Sequence, residues 1–309
     1  MKINPILSKE LKLNARTVKL PLILMLYNLV LSCVAILYLA GIQNQYESGY
    51  AIEYGDLLQI FKILGWIQCI LVAFTIAVLT ASSVAGEREK QTLDIMLTTA
   101  ISPFKIVLGK LEAALGLVCI LIISSLPILS ISFIFGGMDW QYMLYFLLII
   151  IVIGILVGSV GLFFSSMVKK TPVAIVLTFL LGIFIIGGTL GLLPIFDSFW
   201  RDFHYDNVNG GYLGTPPDIR WGALLLLMNP GTLIFDFMQK SSGAAGIEEI
   251  LPSLFHVAYN GRLCTFAEQW WIPASIVVQL GIASLFLLGA SWAIDPLRHG
   301  KRKKTMKKR

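Results

Sequence analysis

The stretch WQYMLYFLLIIIVIGILVGSVGLFFSSMV, residues 140–168, runs for 29 positions without an Asp, Glu, Lys or Arg. A helix rising about 1.5 Å per residue needs roughly 20 such positions to cross about 30 Å of hydrocarbon, so this run reads as a membrane span. Outward from it lie five more uncharged gaps, at 20–46, 63–86, 113–138, 171–196 and 269–294. None alternates with the period of two that a barrel strand requires. With 57% apolar and only 14% charged residues over 309 positions, against about 25% charged in soluble domains, an ordinary soluble protein is excluded. The reading is an all-α integral membrane protein with six transmembrane helices, at about 20–41, 57–84, 113–136, 142–167, 172–194 and 271–294. The first run is too long for the apolar core of a signal peptide and is taken as a retained helix.

Charge sets the orientation. Of the 24 Lys and Arg residues, 19 fall in 1–20, 86–112, 169–170 and the tail from Asp295. The positive-inside rule therefore places both termini in the cytoplasm of a cell-membrane protein. The tail KRKKTMKKR, following a final span, reads as a topology anchor that touches anionic lipid rather than as an arm for nucleic acid.

Three pieces accompany the spans. Residues 1–19 place Ile6, Leu7, Leu11 and Leu13 among Lys9, Glu10, Lys12 and Arg16, the pattern of an amphipathic interfacial helix. The transmembrane domain is then 20–294, with a basic tail at 295–309. On the outer side, 195–270 is a long segment holding the apolar run 221–235, which Asn229, Pro230 and Gly231 interrupt. Too short to span, that run reads as a re-entrant outer hairpin before the last span, with a further helix near 246–258. Trp140, Trp200, Trp221, Trp270 and Trp271 fall where an outer aromatic belt is expected. Gly154, Gly158 and Gly161 form one small-residue stripe and Gly187 with Gly191 another, which suits packing within one bundle or a seam between two copies.

Several chemistries are missing. There is no G-x-x-x-x-G-K-[ST] loop to cradle a nucleotide, no H-E-x-x-H, no G-x-S-x-G and no G-x-G-x-x-G. None of the three histidines (His204, His256, His299) lies in a span, and the four cysteines contain no C-x-x-C pair. Asp202, His204 and Asp206 alternate outside the membrane, a weak signal, and no metal is assigned.

The most informative connection is AGEREKQTLDIMLTTAISPFKIVLGKL, residues 85–111. Glu87, Arg88, Glu89 and Lys90 extend the second span beyond the membrane; Leu93, Ile95, Met96 and Leu97 make an exposed apolar patch. Ser102 then caps a new helix with Pro103 at its first position. An exposed apolar patch here suits a partner surface, or a loop lying on its own bundle or on lipid. Gly86, Glu87, Arg88, Glu89, Thr92, Leu93, Ile101, Ser102, Pro103, Ile106, Val107, Leu108, Gly109 and Lys110 together resemble the ABC-2 type permease family. The resemblance implies the transmembrane subunit of an ABC exporter that has no ATPase site of its own. Its cytoplasmic segment, with Glu87, Arg88, Glu89, Thr92, Leu93, Ile95, Met96 and Leu97, would dock on a separate ABC ATPase subunit that carries the ATP and Mg. Half-transporter size implies a second permease subunit, identical or not. The alternatives are an intramembrane enzyme, which needs polar catalysts at membrane depth, and a secondary transporter, which expects buried carboxylates and inverted repeats.

In the second span Gln59, Lys62, Trp66 and Cys69 recur at intervals of three, four and three, which puts them on one face in the outer half of the membrane. This face lines an outer substrate path, or else Lys62 simply snorkels to the headgroups.

Overall fold

A computed structural model describes residues 19–49, 54–93, 102–136, 139–206, 211–212, 220–255 and 262–295. The expected interfacial helix at 1–19, apart from Lys19, together with Ile95, Met96 and Leu97 and the tail beyond Asp295, lies outside the described residues.

All six spans are present, and five of them run longer than the uncharged gap that announced them, the fourth falling one residue short of its own. They are α1 (Lys19–Glu47), α2 (Tyr54–Glu89), α3 (Pro103–Gly136), α4 (Trp140–Met167), α5 (Thr171–His204) and α8 (Arg262–Ile294), each carrying an apolar stretch long enough to cross a membrane. Between α5 and α8 come β1 (Tyr205–Asp206) paired antiparallel with β2 (Gly211–Tyr212), a 3-10 helix (Arg220–Met228), α6 (Pro230–Ser241) and α7 (Ile247–Phe255). That two-residue ladder is the only strand pairing among the described residues, so the all-helical reading stands. The Asn-Pro-Gly break falls where the sequence places it, and the first half of the broken element is 3-10 rather than α. α3 starts at Pro103, as the Ser-Pro signal requires.

The described residues form two compact units: the chain up to Phe179 together with that from Leu280 onward, and Leu180–Gln279. In the first, α2 is the central element and packs most extensively on α4, then on α3. Its buried face repeats at helical spacing through Phe61, Leu64, Val72, Ile76, Thr80 and Val84. Lipid tails are as apolar as these side chains, so the gain comes from close fit rather than from leaving water. Glycines of α4 supply that fit. A Cβ on Gly158 would stand 2.8 Å from Leu111 Cδ1 and 3.2 Å from Ile76 Cδ1, and one on Gly161 would collide with Thr80 Oγ1 and lie 3.1 Å from Ala81 N. The first small-residue stripe is therefore packing within one bundle. Gly187 meets nothing within 4 Å, and Gly191 only Ile195 of its own helix.

In the second unit, Ala223, Leu226 and Leu227 of the 3-10 helix pack with Ile247 and Leu251 of α7 and with Cys264, Ala267 and Trp271 of α8. Trp271 is 1% exposed, so it belongs to this core and not to an interfacial belt, whereas Trp140 and Trp270 are open. The break is closed by its own polar groups. Asn229 Oδ1 accepts from Gly231 N at 2.7 Å, and its Nδ2 donates to Thr189 Oγ1 at 2.8 Å and Ile186 O at 3.2 Å. Thr232 Oγ1 donates to Leu226 O, and Gln279 Nε2 donates to Leu227 O and Asn229 O. Carbonyls freed by a helix break in an apolar setting need such donors. Asp236, fully buried, accepts from Ile247 N at 2.9 Å and pairs with Lys240 at 3.0 Å. Lys240 also donates to Ala267 O and Glu268 O, which ties α6 to α7 and α8. A Cβ on Gly246 would meet the Asp236 carboxylate, which explains a glycine there. Burial pushes the Asp236 carboxyl above the ordinary carboxylate range, outweighing the opposing Ile247 N–H and Lys240.

Candidate functional site

The candidate site is the end of α2 and the start of its connection to α3. The helix stops by a two-bond cap: Thr92 N donates to Glu87 O at 2.9 Å and Gln91 N to Arg88 O at 3.1 Å, with Gln91 in the left-handed region at φ 56°. A helix commonly ends this way, usually with Gly at the position Gln91 holds. Thr92 Oγ1 adds a bond to Glu87 O at 3.2 Å.

Three consecutive side chains ahead of that cap reach three different neighbours, because successive residues on a helix diverge by about 100°. Glu87 Oε1 lies 2.9 Å from Lys110 Nζ of α3, and the lysine also donates to Ser83 O at 3.2 Å. Arg88 donates from Nη2 to Ser166 O at 2.9 Å and from Nη1 to Val168 O at 3.1 Å, capping the carbonyl end of α4. Glu89 accepts from Thr171 N at 2.8 Å and from Thr171 Oγ1 at 2.9 Å, at the amide end of α5. The charges suit their targets: a cation meets the negative end of one helix dipole and an anion the positive end of the next. Beside them, Ser165 Oγ accepts from Val84 N and Ala85 N, pinning α4 to the backbone of α2.

Leu93 corrects the sequence reading. It is 5% exposed and packs with Val84, Val107, Leu111, Leu162, Leu287, Ala290 and Ile294, so it belongs to the chain's own core rather than to an exposed apolar patch. The period of the motif places Leu93 beyond the helix, but the left-handed Gln91 turns the chain back and carries the side chain inward.

Of the stripe on α2, Gln59 is exposed, Lys62 and Trp66 are half-buried, and Cys69 is enclosed. Exposure thus falls along this face from Gln59 to Cys69. Sequence reasoning passed over Gln68. It is fully buried, with neither side-chain polar atom hydrogen-bonded among the described residues, and a lone amide in an uncharged run was the available signal. It named Lys110 only as part of the motif, without its pairing, and missed Ser165; both roles depend on contacts between helices far apart in sequence. No group of His, Cys, Asp and Glu among the described residues is arranged to hold a metal.

A family model described as ABC-2 family transporter protein matches residues 41–286. No curated protein matches the chain.

Proposed function

Because the chain belongs to the ABC-2 family of transporter proteins, and so is a multi-pass membrane component of an ABC transporter, we propose that it is an export permease driven by a separate ATPase subunit. Binding and hydrolysis of ATP, with Mg, take place on that partner. Two permease subunits, identical or not, assemble with two ATPases, both termini face the cytoplasm, and substrate moves outward across the cell membrane.

The observation that supports this reading is the length of α2 and α3. At 36 and 34 residues, or roughly 54 and 51 Å at about 1.5 Å per residue, both exceed the thickness of the hydrocarbon, and residues 94–101 join them in the chain on the side where basic residues gather. Ile95, Met96 and Leu97 in that connection are the docking residues in this reading. Leu93 anchors the base of the contact from inside the bundle. The stripe Gln59, Lys62 and Trp66 lines the outer part of the path, with Cys69 at its closed end.

Affinity purification in mild detergent tests the reading: an ATPase should co-purify, and candidate substrates should stimulate its hydrolysis. Recovery of the chain with no ATPase, from a host that expresses it normally, would overturn it.

A further inference from the structure

The family resemblance implies that Glu87, Arg88 and Glu89 lie on the surface that meets the ATPase, yet each side chain has an intramolecular target. Arg88 and Glu89 are the notable pair. Adjacent in sequence, they hold the outgoing end of α4 and the incoming end of α5, and thereby fix the turn Val168, Lys169, Lys170 to the last turn of α2. The Glu89 side chain is exposed. Its bonds to Thr171 therefore contribute little to overall stability, since solvent-exposed charged contacts are worth little. What they do supply is registration. Thr171 is the first residue of α5, and its amide is among those a helix leaves unsatisfied at its start.

We propose that Arg88 and Glu89 are positioning residues for transport: they link α4 and α5 to the end of α2, so that displacement of the α2–α3 connection moves all three helix ends together, and they do not themselves touch the ATPase. This rests on the reading that 94–101 is the docking segment. The chemistry of the clamp separates it from a rim contact. Gln at position 89 keeps an oxygen for Thr171 N and an amide for the Thr171 hydroxyl, so it preserves the link while removing the charge. Ala removes both. At position 88, Lys offers a point charge where the guanidinium fork reaches two carbonyls at once.

The experiment uses the native complex in lipid nanodiscs, with Glu89→Ala, Glu89→Gln, Arg88→Ala and Arg88→Lys. Amide exchange of the peptide covering 168–175 should rise about tenfold in Glu89→Ala and Arg88→Ala, while Glu89→Gln stays near native and Arg88→Lys falls between. ATPase association and basal hydrolysis should stay within about twofold of native in all four. Substrate moved per ATP should fall about fivefold or more in the two Ala variants and recover in Glu89→Gln.

Loss of ATPase binding in Glu89→Gln would overturn the proposal in favour of a rim contact. Unchanged exchange in Glu89→Ala would show that no clamp exists. Faster exchange with normal substrate moved per ATP would reduce the clamp to a purely local role. If the native chain binds no ATPase at all, the underlying functional reading fails instead, and the exchange data still report on the clamp.

Discussion

Lys110 Nζ stands 2.9 Å from Glu87 Oε1, with the lysine side chain 1% exposed and the glutamate 21%. Removing one member of an enclosed ion pair strands the other. Lys110→Met alone should therefore destabilise the chain by about 2 kcal/mol, the usual cost being reduced by the partial exposure of Glu87. The double variant Glu87→Gln with Lys110→Met should recover most of that loss. Thermal unfolding in detergent checks both, and equal destabilisation of the single and double variants would contradict the pairing.

The enclosure of Leu93 changes what its substitution reports. Leu93→Asp should unfold the contact among α2, α3, α4 and α8, lowering stability by about 3 kcal/mol through a buried unpaired charge. Leu97→Asp combined with Met96→Asp should instead release the ATPase at unchanged thermal stability. Pull-down alongside melting curves distinguishes the two effects.

Glycine positions give a third contrast. Gly161→Ala should cost about 2 kcal/mol, because its methyl would run into Thr80 and the backbone at Ala81. Gly187→Ala, with open space around it, should leave the monomer within about 0.5 kcal/mol of native. Self-association measured in the same variants also tests the second stripe: loss of a dimer in Gly187→Ala at unchanged monomer stability identifies that stripe as a seam between copies.

For Asp236, the sign of the pH effect follows from burial. A carboxyl whose folded pKa is raised adds stability that is complete below the unfolded value, about 4, and that fades as pH rises through the folded value. Amide protection at the start of α7, taken relative to the intrinsic exchange rate at each pH, should therefore rise on acidification from neutral pH in the native chain. In Asp236→Asn that trend should flatten. Identical pH slopes in the two proteins would remove Asp236 as the titrating group.

Membrane class and span number were legible because a soluble domain has little use for uncharged runs long enough to cross a bilayer. The helix break was legible from three residues, since Asn229 caps, Pro230 lacks a donor and Gly231 permits the close turn. Side-chain partners were not. The pattern around Glu87 drew attention to this stretch, but no periodicity shows that Arg88 caps α4 or that Glu89 meets α5, because those contacts span about 80 positions of chain. Leu93 was misread for a related reason: a left-handed Gln91 has no reliable sequence signal, and one such residue reverses inside and outside. Trp271 failed similarly, as an aromatic near a membrane boundary that found a protein pocket instead.

The donors that close the break at Asn229 arrive on different schedules. Thr189 leaves the ribosome before the break does, and Thr232 comes three residues after it, but Gln279 follows 50 residues later. Until the last helix is synthesised, the carbonyls of Leu227 and Asn229 lack the amide that serves them in the finished protein. Closure of this break is thus a late step of biogenesis, and nascent chains stalled short of Gln279 should hold this region open to chaperones and proteases that the full chain resists.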